Sequence, residues 1–296
     1  MKTTRWALIL VLILGSLVAA CGDDDDEQPA GGGGGQAADV EQFPEDTTMG
    51  RIQAAGEIKI GVKYDVPPFG FKNPQNDEIE GFDVDLGRAV ADKLGVKPKF
   101  IEAISDNRIP FLENGTADLI LSTMTINAER DQEIDFSEPY YVARGRILVG
   151  PDSDIAGVKD LGGNSVCTAL GSTYEETLSK QAPKAERKLV DSYSECLELI
   201  QNGAVDAVST DDVILTGMII QDDSLKLVGD ELTTEPYGAG IKNGDKEFKE
   251  FVDGVIGDMK SDGRWQKAYD KWVGQYTNEQ QKPPTMTLQE ALEIGG

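Results

Sequence analysis

The chain has no histidine and only three cysteines among its 296 residues. Without histidine, Ser-His-Asp and Cys-His catalytic groups are impossible, and so is any metal site built on imidazole. Cys21, Cys167 and Cys196 form no C-x-x-C pair, so a zinc or redox motif has no support. P-loop and G-x-G-x-x-G patterns are also missing. We therefore predict neither a metal nor a cofactor.

Basic residues are scarce as well, with 28 against 53 acidic residues, a net charge of −25 and a pI near 4.3. Such a surface repels phosphate backbones, so the sequence predicts no nucleic-acid partner. A hydrophobic content of 39% supports a packed core, and the length fits two modest lobes or one large domain.

The only long apolar run stands at the N-terminus. Lys2 and Arg5 precede the apolar residues 6–14, a run too short for a comfortable transmembrane helix. Small residues then lead to Cys21, as in a bacterial lipoprotein signal whose cysteine is lipidated. An ordinary secretory signal with an incidental cysteine is the alternative. We predict a signal peptide and lipobox over residues 1–21.

A stretch rich in aspartate and then in glycine follows, without apolar periodicity. This composition is typical of a flexible, solvated linker, so residues 22–50 are predicted to be a disordered tether. The folded part is therefore expected outside the cytoplasm, lipid-anchored to the bacterial cell membrane.

One short sequence motif occurs twice. Residues 113–123 read ENGTADLILST, and residues 201–210 read QNGAVDAVST. If these copies are equivalent strands in two similar lobes, the segments that follow them differ in charge. Arg130 follows the first copy, whereas Asp211 and Asp212 follow the second. A ligand held between the lobes should then carry both charges, as a free amino acid does.

Strand and helix patterns alternate along the chain, which predicts an α/β fold with open, mostly parallel sheets. Ile58, Ile60 and Val62 alternate as in a strand, for example. Ligands of such sheets bind beyond the carboxyl ends of strands. Four loops that start at predicted strand ends should meet there: those at Lys63, Ser122, Thr168 and residues 209–211.

The two cysteines outside the signal, Cys167 and Cys196, precede the second copy of the repeat. In an oxidising compartment a disulfide between Cys167 and Cys196 is plausible, and two buried free thiols are the alternative.

Residues 57–274 resemble a solute-binding protein of a polar amino acid ABC transporter. The segments that carry the resemblance are IKIGVKYDVPPFGF, EGFDVDLGRAVADKLG, NRIPFLENGTADLILSTMTINAERDQEIDFSEPYY and AVDAVSTDD. The third is the most specific, because it combines a Ser/Thr cluster, an arginine and a Phe-Ser-x-Pro-Tyr segment. The resemblance implies a periplasmic-binding-protein-like (type II) fold, with two α/β lobes, two hinge strands and a cleft that closes on one amino acid.

From this resemblance we predict where the chain divides. Lobe 1 should comprise residues 51–143 and 236–276, lobe 2 residues 144–235, and a C-terminal tail residues 277–296. The hinge should lie near residues 142–144 and 235–236.

The resemblance also implies roles for single residues. Arg130 should bind the ligand α-carboxylate, and Asp211 should bind the α-ammonium. Ser122, Thr123 and Thr125 should add donors for the α-carboxylate. In the alternative interpretations Arg130 pairs with a neighbouring acid on a surface helix, and Asp211 only caps the helix that follows it.

Ligand specificity should depend on Lys63 and Arg108, because Asn-Arg-Ile-Pro at 107–110 resembles the glutamate/aspartate-binding branch of the family. Both could instead be solvated loop residues. Ser172 and Thr173, at a helix start, should offer backbone N–H groups to a ligand carboxylate or simply cap the helix.

Tyr64 and Phe69 are predicted to form the pocket wall, although aromatic residues at such spacing are more often part of the core. The predicted function is capture of L-glutamate, with L-aspartate as a further ligand, and its delivery to an ABC transporter permease. We predict a monomer that binds and makes no covalent bond. The alternatives are a glutamine-binding homologue, an amino-acid sensor and a cyclohexadienyl dehydratase-like enzyme.

Overall fold

The computed structural model describes residues 40–277 and 280–294. The predicted signal, with Cys21, and residues 22–39 lie outside this part of the chain. None of the helices in the described ranges is long and apolar enough to span a bilayer.

The helices alternate with short strands along much of the chain. The helices are α1 (Thr48–Ala55), α2 (Phe82–Leu94), α3 (Arg108–Glu113), α4 (Tyr174–Gln181), α5 (Tyr193–Gln201), α6 (Asp212–Gln221), α7 (Lys246–Asp262), α8 (Arg264–Tyr269) and α9 (Leu288–Ile294). The strands are β1 (Glu57–Val62), β2 (Asp65–Val66), β3 (Gly70–Lys72), β4 (Ile79–Glu80), β5 (Lys97–Glu102), β6 (Leu119–Ile120), β7 (Ile134–Phe136), β8 (Tyr141–Val149), β9 (Ser165–Ala169), β10 (Glu186–Val190), β11 (Ala207–Asp211), β12 (Lys226–Val228), β13 (Thr234–Tyr237) and β14 (Gly240–Lys242).

These strands form two main sheets. The first has the order β5-β1-β6-β14-β7, and the second has the order β10-β9-β11-β8-β12. The repeated motif occupies the same place in both sheets. β6 lies between parallel β1 and antiparallel β14, and β11 lies between parallel β9 and antiparallel β8. The prediction that the two copies are equivalent strands is confirmed.

Two paired strands connect the sheets. β8 follows β7 of the first sheet and continues into the second, and β13 precedes β14, which belongs to the first. The two strands run antiparallel, with Arg144 opposite Thr234 and Val142 opposite Pro236. The predicted hinge segments are therefore neighbours in one ladder.

Helix α2 shows how the sequence pattern becomes packing. Leu86, Val90 and Leu94 are buried on one face of the helix, as their spacing by four residues predicts. The helix ends at Gly95, whose φ of 70° is the left-handed conformation that glycine adopts without a steric penalty.

The predicted tether is too long at its C-terminal end. Phe43 packs edge-on against Phe251, with ring centroids 5.5 Å apart. The Thr47 hydroxyl accepts a hydrogen bond from the Gly50 amide at 3.0 Å and so caps α1. Order therefore extends at least to residue 40, because an aromatic contact and a helix cap fix this segment to the folded body.

The disulfide between Cys167 and Cys196 is formed, with a Cα–Cα distance of 5.6 Å. It links β9 to α5 and closes a loop with a sequence separation of 29. By the chain-entropy estimate, a cross-link that closes such a loop stabilises the fold by about 3.6 kcal/mol.

Candidate ligand-binding site

A small, partly enclosed space with a cavity volume of about 10 Å³ lies where the loops of the two sheets meet. Its walls come from segments far apart in the chain, and they carry both signs of charge. The residues that line it are Ser105, Arg108, Thr123, Thr125, Arg130, Ser172, Thr173, Tyr174, Tyr193, Asp211 and Ile214. Seven of the predicted ligand contacts therefore come together: Arg108, Thr123, Thr125, Arg130, Ser172, Thr173 and Asp211.

Arg130 is buried at this space, with 8% of its surface exposed. Its guanidinium donates to the Thr125 carbonyl at 2.8 Å and to the Gly171 carbonyl at 3.0 Å. Among the described residues, these bonds use two of its five N–H groups. Burial lowers the pKa of Arg130, and the nearby Glu235 carboxylate opposes that shift. The ion pairs of the described residues include none with Arg130, so the surface-pair interpretation is wrong.

Asp211 supplies the opposite charge. It stands at the N-cap position of α6, but its side chain makes no capping hydrogen bond. Instead its carboxylate accepts a hydrogen bond from the Tyr174 hydroxyl at 2.8 Å. Burial, and next the repulsion from Glu235, raise the pKa of Asp211 well above its usual value. A ligand ammonium at this carboxylate would favour the ionised form.

Arg108 lies deeper than a solvated loop residue, with 2% exposure. All three guanidinium nitrogens donate to main-chain carbonyls: Nε to Ser105, Nη1 to Ser122 and Thr123, and Nη2 to Gly171, at 3.0 to 3.2 Å. Burial, and next the charge of Arg130, lower the pKa of Arg108 to about 9. Most of its hydrogen-bonding capacity therefore serves the protein itself.

Lys63 is also buried, so it is no solvated loop residue either. Its Nζ donates to the Ser105 hydroxyl at 2.8 Å and lies 5.7 Å from the centre of the Tyr193 ring. Burial, followed by repulsion from Arg108, lowers the pKa of Lys63 to about 7. Lys63 does not line the space; it contacts two residues that do.

Three further predicted residues are not brought to the space. The Ser122 hydroxyl donates to the Ala103 carbonyl at 2.8 Å, and the Tyr64 hydroxyl donates to the Phe100 carbonyl at 3.0 Å. Phe69 is buried in an aromatic cluster, 4.9 Å from the Tyr141 ring. Tyr64 and Phe69 thus do not form the wall, because both pack into the fold. The aromatic residues that line the space are Tyr174 and Tyr193.

The main finding beyond the sequence analysis is Glu235. This buried carboxylate accepts hydrogen bonds from the hydroxyls of Thr125, at 2.7 Å, and Thr173, at 3.1 Å. It lies on β13, one of the two connecting strands. Thr173 occupies the N-cap position of α4 without a side-chain capping bond. The only signal in the sequence was the position of Glu235 at the predicted return of the chain.

Asp83 was also missed, and it fixes the segment that carries Thr123. The Thr123 backbone has φ of 44°, an uncommon conformation for this residue type, and its amide donates to Asp83 at 2.9 Å. The Tyr140 hydroxyl donates to the other carboxylate oxygen at 2.9 Å. Burial raises the pKa of Asp83 to about 7 despite these two donors.

Gly171 is a point of contact between the two sides of the cleft. Its carbonyl accepts from both Arg108 and Arg130, and its φ is 73°. A β-carbon at this position would lie 2.5 Å from the Asp106 Cα. Only glycine fits both the backbone conformation and the close approach.

Within the part of the chain that the structure describes, no group of three or more acidic or cysteine side chains is arranged to hold a metal ion. Charged and hydroxyl groups around an enclosed space are instead suited to non-covalent capture of a small polar molecule.

Comparisons with known proteins agree with this arrangement. The chain is 40% identical over 230 residues to the ABC transporter glutamine-binding protein GlnH of Bacillus subtilis, covering 76% of this chain and 84% of that protein. It is 32% identical over 235 residues to the glutamate-binding protein GluB of Corynebacterium glutamicum, covering 74% and 79%.

Two solved structures are similar as well. An ancestral arginine-binding protein bound to glutamine has 38% identity and a TM-score of 0.71, covering 74% of this chain and 98% of that one. The ancestral amino acid-binding protein AncCDT-1, a precursor of cyclohexadienyl dehydratase, has 34% identity and a TM-score of 0.71, covering 76% and 99%. The predicted fold class, a two-lobed periplasmic-binding-protein-like architecture with two hinge strands, is confirmed.

The broadest comparison is with protein families. Residues 58–275 match the sequence model of the bacterial extracellular solute-binding proteins, family 3. This match covers most of the chain, and the protein belongs to that family.

Proposed function

We propose that the protein binds one free L-α-amino acid in the cleft, preferably L-glutamine, and presents it to the permease of an ABC importer. The observation that carries this proposal is the presence of Arg130 and Asp211 on the same enclosed space. A guanidinium suits an α-carboxylate, and a buried carboxylate suits an α-ammonium.

Glutamine takes precedence over the glutamate predicted from the sequence for two reasons. Arg108, the cation expected to bind a distal carboxylate, directs all three nitrogens to main-chain carbonyls. Lys63 is held off the space by Ser105, and burial brings its pKa to about 7. An uncharged amide needs no dedicated counter-ion. The greater similarity to the glutamine-binding relative, 40% against 32% identity, points the same way.

Glutamate is the second candidate. Arg108 lines the space and Lys63 lies behind Ser105, and their positive charges would stabilise a distal carboxylate at short range. Discrimination between these ligands is a matter of affinity, and direct titration measures it.

We further propose lobes of residues 51–143 with 236–276 and of residues 144–235, which close on the ligand. Closure is a shift between open and closed populations, driven by contacts that only the closed form makes. Small-angle X-ray scattering should show a smaller radius of gyration with glutamine, and an unchanged radius would contradict closure.

The proposed location is outside the cytoplasm, with a lipid on Cys21 as anchor and the mature protein as a monomer. The support is the signal-like sequence of residues 1–21 and membership of an extracellular family. Cys21→Ser should release the protein from the membrane fraction into the medium; retention in membranes would refute the anchor.

We propose binding without catalysis. Both relatives are named as binding proteins, and the neighbour that preceded a dehydratase is itself named as amino acid-binding. Turnover of prephenate or arogenate by the purified protein would contradict this assignment.

Ligand analogues test the two-charge recognition directly. 4-Carbamoylbutanoate is glutamine without its ammonium, and 4-aminobutanamide is glutamine without its α-carboxylate. Each should bind at least about 100-fold more weakly than glutamine, because one buried charge of the protein would remain unpaired. Equal binding of either analogue would show that the corresponding charge, Asp211 or Arg130, is not a ligand contact.

A further inference from the structure

The C-terminal helix α9 lies outside residues 58–275, which match the family, yet it is built into the fold. Thr287 and Glu290 form a capping box at its start. The Glu290 amide donates to the Thr287 hydroxyl at 3.2 Å, and the Thr287 amide donates to the Glu290 carboxylate at 2.8 Å. A helix of seven residues is too short to be stable alone, so this cap and its packing hold it.

The apolar face of α9 packs into a separate core cluster. Ala291 is fully buried there, and Met286, Leu288 and Leu292 pack around it. The same cluster contains Met124 and Ile126, both almost fully buried.

These two residues alternate along the chain with ligand-site residues. Thr123 and Thr125 line the enclosed space, whereas Met124 and Ile126 enter the core cluster. Thr125 pairs with Tyr237 in an isolated antiparallel β-bridge, and in such extended backbone successive side chains point to opposite sides. Met124 and Ile126 therefore connect the core cluster that α9 joins to the donors on the other side of the segment.

Two further contacts locate the ends of α9. The Leu288 amide donates to the Glu138 carboxylate at 2.7 Å, just before β8. Ile294 borders a groove that is also lined by Thr125, Thr173 and Glu235, the group that joins the connecting strand to both sides of the cleft.

We propose that residues 286–294 position the ligand-contacting segment 122–126 and thereby set the affinity of the site. This inference rests on the proposed function, because affinity is the property it concerns. Met286, Leu288, Ala291 and Leu292 are positioning residues, which act through Met124 and Ile126 and do not touch the ligand.

The test compares the unlipidated chain, from Gly22 onward, with a deletion of residues 283–296 and with Leu292→Ala. Glutamine affinity is measured by calorimetry, and amide hydrogen exchange is measured with and without glutamine. The deletion should raise the Kd for glutamine at least tenfold, and Leu292→Ala should raise it severalfold. Exchange should accelerate at residues 122–126 and remain unchanged in β10, on the far edge of the second sheet. A peptide of residues 280–296, added in excess, should restore affinity to the deletion variant.

Gln289→Ser is the matched control, because in the described part of the chain the Gln289 side chain donates to the exposed Glu293 within the same helix; it should bind as the wild type does. A folded deletion variant with a Kd within twofold of wild type overturns the proposal. If the deletion variant does not fold, an unchanged Kd of Leu292→Ala overturns it. A wild-type protein that binds no amino acid refutes the proposed function instead, and unchanged exchange at residues 122–126 then overturns the positioning role independently.

Discussion

Arg130 is the residue on which the proposed recognition depends most. Its replacement by glutamine keeps polarity but removes the charge that an α-carboxylate would meet in a desolvated cleft. Arg130→Gln should weaken binding of every amino acid by about 100-fold or more, the range expected when one partner of a buried charge pair is removed. Isothermal titration measures the loss.

The matched control for Arg130→Gln is Arg187→Gln, which removes an exposed arginine bonded to the Glu175 carbonyl. It should leave affinity unchanged. If Arg130→Gln keeps near wild-type affinity for glutamine, the α-carboxylate lies elsewhere.

Lys63 makes a prediction about pH. Burial lowers its pKa from 10.5 to about 7, so between these values the unfolded chain holds a proton that the folded chain has lost. The free energy of unfolding should therefore rise with pH above 7, by at most about 1.4 kcal/mol per unit. Lys63→Met should remove this rise. Urea unfolding at pH 7, 8 and 9 measures it.

Asp83 acts in the opposite direction at the lower edge of this window. Its pKa is raised to about 7, so its stabilising contribution is complete at low pH and is lost as the pH rises to 7. The exposed Lys188, replaced by methionine, provides the comparison. Identical pH slopes for wild type and Lys63→Met would show that Lys63 titrates normally in the folded state.

For single residues, the sequence predicted the charged groups of the site but not the aromatic side chains that line it. Arg130 and Asp211 could be predicted because each follows one copy of a repeated strand, and strand position fixes which edge of a sheet a residue reaches. Tyr174 and Tyr193 could not, because the choice of aromatic side chain that faces the cleft depends on packing between distant helices.

Among the elements, the loop at Gly171 offers the clearest test. A β-carbon there would collide with Asp106 across the cleft, 2.5 Å from its Cα. Gly171→Ala should raise the Kd for glutamine at least tenfold, because the two sides could no longer approach as closely. Calorimetry measures affinity, and thermal unfolding measures stability.

Gly163 provides a matched control for backbone strain. Its φ is 84°, close to that of Gly171, but an added β-carbon meets no atom within 4 Å. Both substitutions should share the cost of a left-handed alanine, about 1–2 kcal/mol. Gly163→Ala should keep wild-type affinity. Equal affinities for the two variants would mean that closure does not require this contact.

The elements themselves were largely predictable, as α2 shows with its buried stripe and terminal Gly95. The start of the folded body was not. Residues 40–47 are held by the contact of Phe43 with Phe251, more than two hundred positions away, which local composition cannot indicate. The same holds for α9, whose packing partners Met124 and Ile126 lie far away in the chain.

For the whole molecule, the repeated motif and the alternation of strands and helices were sufficient to predict two similar sheets. The contacts of Glu235, which complete the cleft, could not be predicted from the sequence. Glu235 meets Thr125 and Thr173 only because β13 returns beside β8, and this juxtaposition arises from the assembled fold. The sequence therefore indicated that the ligand is an amino acid. The hydrogen bonds of Arg108 and Lys63 to the protein itself then favoured glutamine over glutamate.

The most direct test of this account is calorimetric titration of the mature chain, first unfolded and refolded to remove carried-over ligand. Glutamine, glutamate, aspartate, asparagine and arginine are titrated separately at pH 7. The account predicts binding of glutamine at least tenfold tighter than that of glutamate and the others. Tighter binding of glutamate would contradict the assignment of Arg108 and Lys63 to internal roles, and binding of none of the five would contradict the amino-acid site itself.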